Sequence, residues 1–323
     1  MAKRLMLGDF VSPITTKDDG RRDYFTVKDF METYPQFITF KKAENLAQRT
    51  LDDYERCHKY MCNYIDEWYS DTLVRYDVNL IRSYISWMLE RVSPNTVNIR
   101  IRYLKVYLKF LEEEGYVKDS INHRVKKVKE VKNEKKPLTD SDVTKMLKQV
   151  NMKSYAGLRD YTVMTLMLSV GTRINETVNI RVRDVFLKEK YIIINGDTAK
   201  NRHERVVPIN AKLISNINKL IEVSNGCGSP WLFLSTISTD QVKLTHMKQQ
   251  ITDYGKKAGL DKSSSTHKLR HTAITNMIKH GSNPLDVCKI AGHSDLKITM
   301  AYYHNNLKDM HKAIENDTLS NFD

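Results

Sequence analysis

The sequence predicts a mainly α-helical protein with two domains, the second of which carries a small β-sheet. The 323 residues are enough for two domains, each with a core of its own. Apolar residues recur at intervals of three and four through most of the chain, which is the spacing of one helix face. Two short β-rich runs, at 191–194 and 205–209, flank a polar turn and predict a hairpin.

The composition indicates a folded chain with a polyanionic partner. Hydrophobic residues make up 41% and charged residues 28%, which excludes wholesale disorder. Lys and Arg number 52 against 39 Asp and Glu, and the resulting net charge of +13 favours nucleic acid as the partner. The longest nearly apolar stretch, 161–170, is too short for a membrane span, and the N-terminus has no apolar signal core. The four cysteines lack zinc-type spacing, which indicates a reduced, intracellular chain without a metal site.

The N-terminal part is predicted to be an irregular leader, 1–35, followed by a helical bundle over 36–123. Ser93 and Pro94 form a helix-start signal, and an apolar stripe follows it at helical spacing. The opposite surface of this helix is predicted to contact DNA through four basic residues: Arg100, Arg102, Lys105 and Lys109.

A strongly basic segment, 124–136, separates the two periodic regions. Its sequence RVKKVKEVKNEKK holds seven basic and two acidic residues, and Pro137 follows it. This pattern predicts an interdomain linker, although a solvated extension of the preceding helix fits equally well. In either case Lys126, Lys127 and Lys129 are candidates for contacts with DNA phosphates.

The second domain is predicted over 137–304, with a tail at 305–323. Thr139 and Asp142 have the spacing of a helix-entry box, and a buried helix is expected to end at Gly171. Further helices follow the hairpin. The apolar residues of the tail also have helical spacing.

Four motifs in this domain carry polar side chains suited to phosphate chemistry. Taken singly, each has an ordinary explanation: a surface arginine, a solvated lysine in a turn, or a packing tyrosine. The motifs are GTRINE with Arg173, the lysine Lys200 ahead of ERVVPI, HKLRHT with His267 and Arg270, and GHSDLKITMAYYH with His293 and Tyr302.

In this order, the motifs resemble the tyrosine recombinase (phage integrase) family over roughly 138–304. The resemblance implies a helical core-binding (SAM-like) domain followed by a mixed α/β, mostly helical catalytic domain with a small β-sheet. Thr172 departs from the family pattern, which usually has an apolar residue there. The lead-in to Lys200 is a second departure, because it is longer than the tight turn of Xer-like members.

The resemblance assigns a role in DNA strand cleavage to each matching residue. Arg173 and Arg270 would hold the two non-bridging oxygens of the phosphate, where planar guanidiniums form fixed-geometry hydrogen bonds. His267 and His293 would move protons around the same phosphate. Lys200 would protonate the leaving 5′ oxygen.

The nucleophile is expected to be Tyr302, which would form a 3′-phosphotyrosyl link to DNA. Its neighbour Tyr303 is the competing candidate, but the nine-residue interval from His293 favours Tyr302. Glu176, three residues beyond Arg173, is expected to support the active site without contacting the phosphate itself. Because one phosphoester replaces another, the reaction needs no cofactor, and the family uses no metal.

The expected partners are double-stranded DNA with paired recombination core sites and further copies of the chain. The resemblance implies two domains that clamp a duplex, a synaptic tetramer that passes through a Holliday junction, and a tail that docks on a neighbouring protomer. A tail packed on its own chain remains the alternative. An accessory DNA-bending factor is a further candidate partner, and a cytoplasmic, bacterial, nucleoid-associated location without membrane contact is expected.

Two other functional classes remain open at this point. A type IB topoisomerase or telomere resolvase uses the same set of catalytic groups, although the overall layout fits an integrase better. A non-catalytic DNA-binding protein of the same fold is the other alternative, and the presence of all six catalytic positions argues against it. Within the recombinase class, a Xer-like enzyme, a transposon resolvase and a mobile-element integrase all fit, so integration, excision and resolution are equally open.

Overall fold

The computed structural model describes residues 25–69, 75–117, 121–130, 136–196, 204–260 and 264–302. The chain divides into two compact units, Met1–Asn133 and Glu134–Asp323. The division falls inside the segment 124–136 that the sequence predicts as a linker. Each unit has its own hydrophobic core.

The described part of the N-terminal unit is a bundle of helices. Aromatic side chains fill much of its core, where the rings of Phe30 and Phe37 both pack at a tilt against that of Tyr107. The helices are α1 (Val27–Ala43), α2 (Gln48–Trp68), α3 (Val78–Leu89) and α4 (Pro94–Glu113), with a 3₁₀ turn at Asn122–Arg124. The start of α4 is as predicted, with Ser93 as the cap and Pro94 in the first turn.

Helix α1 corrects the prediction of an irregular leader over 1–35. It begins at Val27, where Thr26 and Asp29 form a reciprocal capping box. Val27, Phe30 and Tyr34 are buried in the core of the bundle. The sequence analysis did not predict this helix, because the buried apolar residues of α1 alternate with exposed acids and lysines. The segment therefore has a balanced charge and no obvious apolar stripe.

The first half of the basic segment packs on the N-terminal unit and is not helical beyond Arg124. Val125 is buried, and Val128 packs on the edge of the core. The amide of Asn98 on α4 holds Val128 from both sides, since it donates to its carbonyl at 2.9 Å and accepts from its N–H at 2.8 Å. Residues 125–130 therefore form a strap on α4, which excludes the helical extension, whereas the boundary between the two units still lies within 124–136.

The described part of the C-terminal unit is mostly helical, with a small sheet. Its helices are α5 (Asp140–Lys148), α6 (Tyr155–Val170), α7 (Ile174–Val178), α8 (Ala211–Gly226), α9 (Leu244–Lys257), α10 (Thr266–Lys279), α11 (Pro284–Ala291) and α12 (Leu296–Met300). A 3₁₀ turn at Val182–Asp184 leads into β1 (Val185–Phe186), β2 (Tyr191–Ile194) and β3 (Arg205–Pro208). The three strands form an antiparallel sheet in the order β1-β2-β3, with Ile192 opposite Val207.

Helix α6 is the centre of this unit, because α8, α9 and α10 all pack on it. The predicted capping box of α5, formed by Thr139 and Asp142, is present. Helix α6 ends as predicted at Gly171, whose φ of 67° is readily adopted by glycine. The hairpin is also present, but the short β1 has no sequence signal of its own. Among the described helices, none has the length and apolar character to cross a membrane.

Candidate active site

The C-terminal end of α11 is the point at which the predicted catalytic residues meet. Gly292 ends the helix with a φ of 67°, and the N–H of His293 donates to the carbonyl of Cys288 at 3.0 Å. The carbonyls that follow lie at the end of the helix, where they carry its partial negative charge.

Three arginines each donate a hydrogen bond to one of these carbonyls. Each guanidinium comes from a different element, and each is distant in the sequence from the carbonyl that it binds. Arg205 Nε donates to Ile290 O at 2.9 Å, Arg270 Nη1 to Ala291 O at 2.7 Å, and Arg173 Nη2 to Gly292 O at 3.1 Å. The arrangement gathers three positive charges around one short loop, where the helix end partly offsets their repulsion.

Arg173 is held at the N-terminus of α7, directly after the chain leaves α6. Its backbone N–H donates to Glu176 Oε2 at 2.9 Å, and its Nη1 donates to Oε1 of the same carboxylate at 2.8 Å. The side chain keeps 24% of its surface exposed. This guanidinium is therefore fixed in place while part of it remains accessible to a ligand.

Arg270 reaches the site from α10 and is almost completely buried. Its Nη1 donates both to Ala291 O and to Gly171 O, the latter at 2.5 Å. Burial, and then the neighbouring charge of Arg173, lower its pKa to about 10. The guanidinium is therefore still charged at neutral pH, in a position shielded from bulk water.

Glu176 is the acid that balances this cluster, and its side chain is 0% exposed. Besides Arg173 it accepts a hydrogen bond from Arg205 Nη2 at 2.6 Å. Burial alone would raise the pKa of this carboxyl. The hydrogen bond and charge of Arg205, followed by the hydrogen bonds of Arg173, outweigh burial and hold the pKa below its usual range. The predicted support of Arg173 by Glu176 is present, and it extends to a second arginine.

His293 follows directly after the carbonyls that the arginines bind. Its Nδ1 lies 2.8 Å from the hydroxyl of Thr299, which is fully buried on α12. Burial, and then the charges of Arg270, Arg173 and Arg205, lower its pKa to about 4. The imidazole is therefore neutral at pH 7, with one ring nitrogen oriented by Thr299.

Tyr302 lies two residues beyond α12 and packs beside the rings of His293 and His271. Its ring is nearly parallel to that of His293, at 6.3 Å and 17°, and lies 5.0 Å from the ring of His271. It also packs against the small core between α10 and α11, which includes Ile274. The ring is thus half-buried and held on one side of the arginine cluster.

The structure therefore brings together five of the predicted residues: Arg173, Glu176, Arg270, His293 and Tyr302. His267 lies in the first turn of α10, exposed and three residues before Arg270. Lys200, Tyr303 and the tail at 305–323 lie outside the described residues. No group of three or more acids, histidines or cysteines that could hold a metal occurs in the described ranges.

One residue of the site, Arg205, was not among the catalytic residues that the sequence predicts. Nothing in the local pattern of ERVVPI separates a strand arginine that faces solvent from one that turns inward. In β3 Arg205 lies on the same face as buried Val207, but the partners that hold its guanidinium are 29 and 85 residues away.

The predicted basic face on α4 is wrong for Arg100. At 100° per residue, Arg100 lies on nearly the opposite side of the helix from Lys109. It is 8% exposed, and its guanidinium stacks on the ring of Tyr60, 3.5 Å from the ring centroid. Its positive charge therefore belongs to the interior of the bundle.

The remaining candidates of the N-terminal unit are less uniform than predicted. Arg102 is exposed, but Lys105 Nζ donates to Val125 O at 3.2 Å and Lys109 Nζ lies 3.1 Å from Glu113 Oε1. Lys105 thus helps to fix the strap, and Lys109 forms a surface ion pair. The strap lysines Lys126, Lys127 and Lys129 are all exposed, which keeps them available for phosphate contacts.

Comparison with known families identifies the protein class. The profile of the phage integrase family matches residues 136–309, more than half of the chain, and this match includes the arginine cluster and Tyr302. The chain belongs to the phage integrase family. The prediction from the four motifs is thereby confirmed, and this family member is a site-specific tyrosine recombinase.

The curated relatives of this recombinase span nearly its whole length. Tyrosine recombinase XerA of Pyrococcus horikoshii is 27% identical over 299 residues, covering 91% of this chain and 95% of the relative. The TnP I resolvase of Bacillus thuringiensis is 25% identical over 293 residues, covering 88% of this chain and 99% of the relative. The likeness thus includes both a Xer recombinase and a resolvase.

Solved structures share the fold at low sequence identity. The Tn1549 transposon integrase, solved in complex with circular intermediate DNA, has a TM-score of 0.71 at 20% identity and covers 90% of this chain and 99% of its own. A lambda integrase tetramer bound to a Holliday junction has a TM-score of 0.71 at 13% identity, covering 87% of this chain and 78% of its own. The predicted fold class, mainly α with a small sheet in the catalytic domain, is confirmed.

Proposed function

We propose that this recombinase cleaves DNA by attack of the Tyr302 hydroxyl on a backbone phosphorus. The attack forms a phosphotyrosyl bond to the 3′ end and breaks the bond to the 5′ oxygen, which leaves as a hydroxyl. The observation that carries the proposal is the convergence of three guanidiniums, one neutral histidine and one tyrosine at the end of α11. Rejoining is the same exchange in reverse, so no external energy source is required.

The arginines supply the charge that the transition state needs. Extra negative charge develops on two non-bridging oxygens during the attack, and fixed guanidiniums stabilise it without having to reorganise. Arg173 keeps part of its surface open, whereas Arg270 is buried and held by two carbonyls. We assign both residues to the phosphate, with Arg173 as the more accessible of the two.

Proton transfers are assigned to the histidines, which take up and relay the proton released by the Tyr302 hydroxyl, and to Lys200. A neutral His293 donates from one ring nitrogen while Thr299 orients the other, and the negative phosphate would raise its pKa from about 4 on binding. His267 is exposed on the first turn of α10, on the side of the helix that carries Arg270. Lys200, by its place in the motif order, protonates the leaving 5′ oxygen.

DNA recognition outside the scissile phosphate is assigned to both units. We propose the N-terminal unit as the core-binding domain over 36–123, extended to include α1 from Val27. The catalytic domain is proposed over 137–304, and the tail at 305–323 is proposed to dock on a neighbouring protomer. Exposed Arg102 and the strap lysines Lys126, Lys127 and Lys129 are the residues proposed to contact phosphates. Binding that rests on such contacts weakens steeply with salt.

We further propose that the chain acts as a tetramer on paired core sites and passes through a Holliday junction. The support is a likeness to a lambda integrase tetramer bound to such a junction. The likeness to a resolvase and to a transposon integrase supports a mobile-element role, in integration, excision or resolution. A cytoplasmic, nucleoid-associated location in a bacterium and an accessory DNA-bending factor belong to the same proposal.

The decisive experiment is covalent capture of the protein on nicked DNA. A library of duplexes with a randomised central region and a nick beyond it is incubated with the full-length chain, so that the short cleaved strand diffuses away and traps the adduct. Bound DNA is recovered after denaturation and sequenced, which also yields the recognition site. Tyr302→Phe is the test variant, and Tyr303→Phe is the matched control at the neighbouring position.

We expect the wild type and Tyr303→Phe to form adducts on the same selected sequence, and Tyr302→Phe to form none. An adduct that persists in Tyr302→Phe and vanishes in Tyr303→Phe would transfer the nucleophile to Tyr303. Failure of the wild type to form an adduct on any sequence, while it still binds DNA, would support the non-catalytic alternative. Adducts without any sequence selection would support the topoisomerase alternative.

A further inference from the structure

Arg205 lies inside the site, yet the proposed chemistry gives it no task. Its Nε donates to Ile290 O at 2.9 Å, and its Nη2 donates to Glu176 Oε2 at 2.6 Å. The side chain is only 12% exposed. One residue at the start of β3 thus connects the sheet, the C-terminal end of α11 and the carboxylate that holds Arg173.

The guanidinium of Arg205 also lies directly against the backbone of Gly292. A Cβ atom at position 292 would lie 2.8 Å from Arg205 Cζ and 2.9 Å from its Nη1, closer than such contacts occur in proteins. The approach is possible only because residue 292 has no side chain. The backbone immediately before His293 is therefore packed on Arg205 as well as hydrogen-bonded near it.

The contacts of Arg205 go to the groups that position other catalytic residues. Glu176 receives its charge-assisted hydrogen bond and fixes Arg173 through two more. Ile290 and Gly292 precede His293, whose other neighbours are the Thr299 hydroxyl, the Tyr302 ring and the charges of Arg270 and Arg173. Removal of Arg205 would loosen this loop and also free one Glu176 oxygen.

We infer that Arg205 is a positioning residue for strand cleavage, which fixes the Ile290–His293 loop and Glu176 relative to each other. The inference rests on the proposed cleavage by Tyr302. Arg205 acts through main-chain carbonyls and a carboxylate, so its effect on the phosphate is indirect. It positions both residues at the same time, because Glu176 holds Arg173 and Ile290 belongs to the loop that ends at His293.

The test compares Arg205→Gln, which removes the charge, with Arg205→Lys, which keeps it. Lysine cannot form two fixed-geometry bonds to Ile290 O and Glu176 at once. Arg183→Gln is the matched control, because Arg183 belongs to the same unit, is 72% exposed and has only a loose ion pair at 3.8 Å. All variants are made in a full-length Trp68→Phe, Trp87→Phe background, in which Trp231 fluorescence reports the folded fraction of the C-terminal unit.

Two readouts distinguish positioning from simple structural support. The first is the rate of adduct formation in a single turnover on the selected nicked duplex. The second is the pKa of His293 in the DNA-free protein, followed by NMR of the labelled imidazole. We expect Arg205→Gln to slow cleavage about 100-fold, the size of effect that a displacement of 1 Å produces, with DNA affinity and folded fraction unchanged.

The His293 pKa should rise in Arg205→Gln, because one of the three charges that lower it is removed. It should stay low in Arg205→Lys, which nevertheless cleaves more slowly than the wild type. Cleavage by Arg205→Gln at the rate of Arg183→Gln overturns the inference, as does a loss of rate that only follows the loss of folded protein.

If Arg205→Gln does not fold, Arg205→Lys decides, and a wild-type rate in that folded variant overturns the inference. A wild type without any adduct contradicts the proposed function rather than the contacts of Arg205. The NMR titration then still tests those contacts. If the pKa of His293 is unchanged in Arg205→Gln, or in a folded variant such as Arg205→Met that also removes the charge, Arg205 does not lie next to the His293 loop as inferred.

Discussion

Replacing Glu176 tests whether a single buried carboxylate holds the arginine cluster together. It accepts three hydrogen bonds, two from Arg173 and one from Arg205, at 2.6 to 2.9 Å, and its side chain is 0% exposed. Removing one partner of a buried ion pair costs about 3–5 kcal/mol, because the other charge is left uncompensated. Arg173 and Arg205 are 24% and 12% exposed, so water can reach part of each and the lower end applies.

We therefore expect Glu176→Ala to destabilise the C-terminal unit by about 3 kcal/mol. Glu176→Gln keeps one carbonyl oxygen for the three donors and points an amide NH₂ group at another donor. The charge-assisted hydrogen bonds that it weakens are each worth about 1.5–3 kcal/mol, so we expect a loss of about 2 kcal/mol. Both variants should also cleave DNA more slowly, since Arg173 loses its anchor.

The measurement is denaturant unfolding of the full-length chain, followed by Trp231 fluorescence in the Trp68→Phe, Trp87→Phe background. A reporter in one unit is needed because a chain with two cores need not unfold in one step. Glu222→Gln is the matched control, since Glu222 lies on the exposed surface of α8 and accepts one hydrogen bond from Asn218. Its replacement should change stability by no more than about 0.5 kcal/mol.

The pH dependence gives a second check with a defined sign. The pKa of Glu176 is held below its usual value of 4.5, so its stabilising effect is complete above pH 4.5 and is lost as the pH falls through the folded-state pKa. The stability difference between wild type and Glu176→Gln should therefore shrink below pH 4.5. A Glu176→Ala variant as stable as Glu222→Gln, or a difference that does not change with pH, would refute this account of the cluster.

Three further predictions follow from other parts of the structure. The pKa of His293 is lowered to about 4, so the folded protein should lose stability as the pH falls from 6.5 to 4, and His293→Gln should flatten this slope in Trp231-monitored unfolding. Gly292→Ala should cost about 1–2 kcal/mol for its φ of 67°, and more because of the contact with Arg205, whereas Gly226→Ala meets nothing and should be neutral or stabilising. Asn98→Ala should release the strap, so trypsin should cleave after the strap lysines faster than in the exposed-site control Asn63→Ala.

Most of the helices were predictable because their signals are local. Capping residues such as Ser93 and Thr139, the helix-ending Gly171 and apolar spacing at three and four all act within a few residues. The start of α1 at Val27 was missed although Thr26 and Asp29 form the same kind of box. Its signal was outweighed by the balanced charge of the surrounding leader.

The failures on the basic surfaces have a geometric cause. Charge counted along a sequence does not state on which side of a helix each residue lies, and Arg100 turns inward although its neighbours Arg102 and Lys109 do not. Likewise, the charge of the strap suggested a solvated segment. In the structure Val125 and Val128 of the strap pack on the core, and Asn98 of α4 binds the backbone of Val128. In both cases a few packing contacts outweigh the average polarity of the segment.

The sequence by itself determined the family, the order of the catalytic residues and the small sheet within a helical domain, because motif identity and helical periodicity are properties of the chain. Only the tertiary structure decided how the arginines are held. Arg173, Arg205 and Arg270 bind consecutive carbonyls at residues 292, 290 and 291, across 119, 85 and 21 residues of chain. Hydrogen bonds between residues so far apart in the chain leave no trace in the local sequence. The position of Arg205 beside Arg173 and Arg270 is therefore visible only in the tertiary structure around α11.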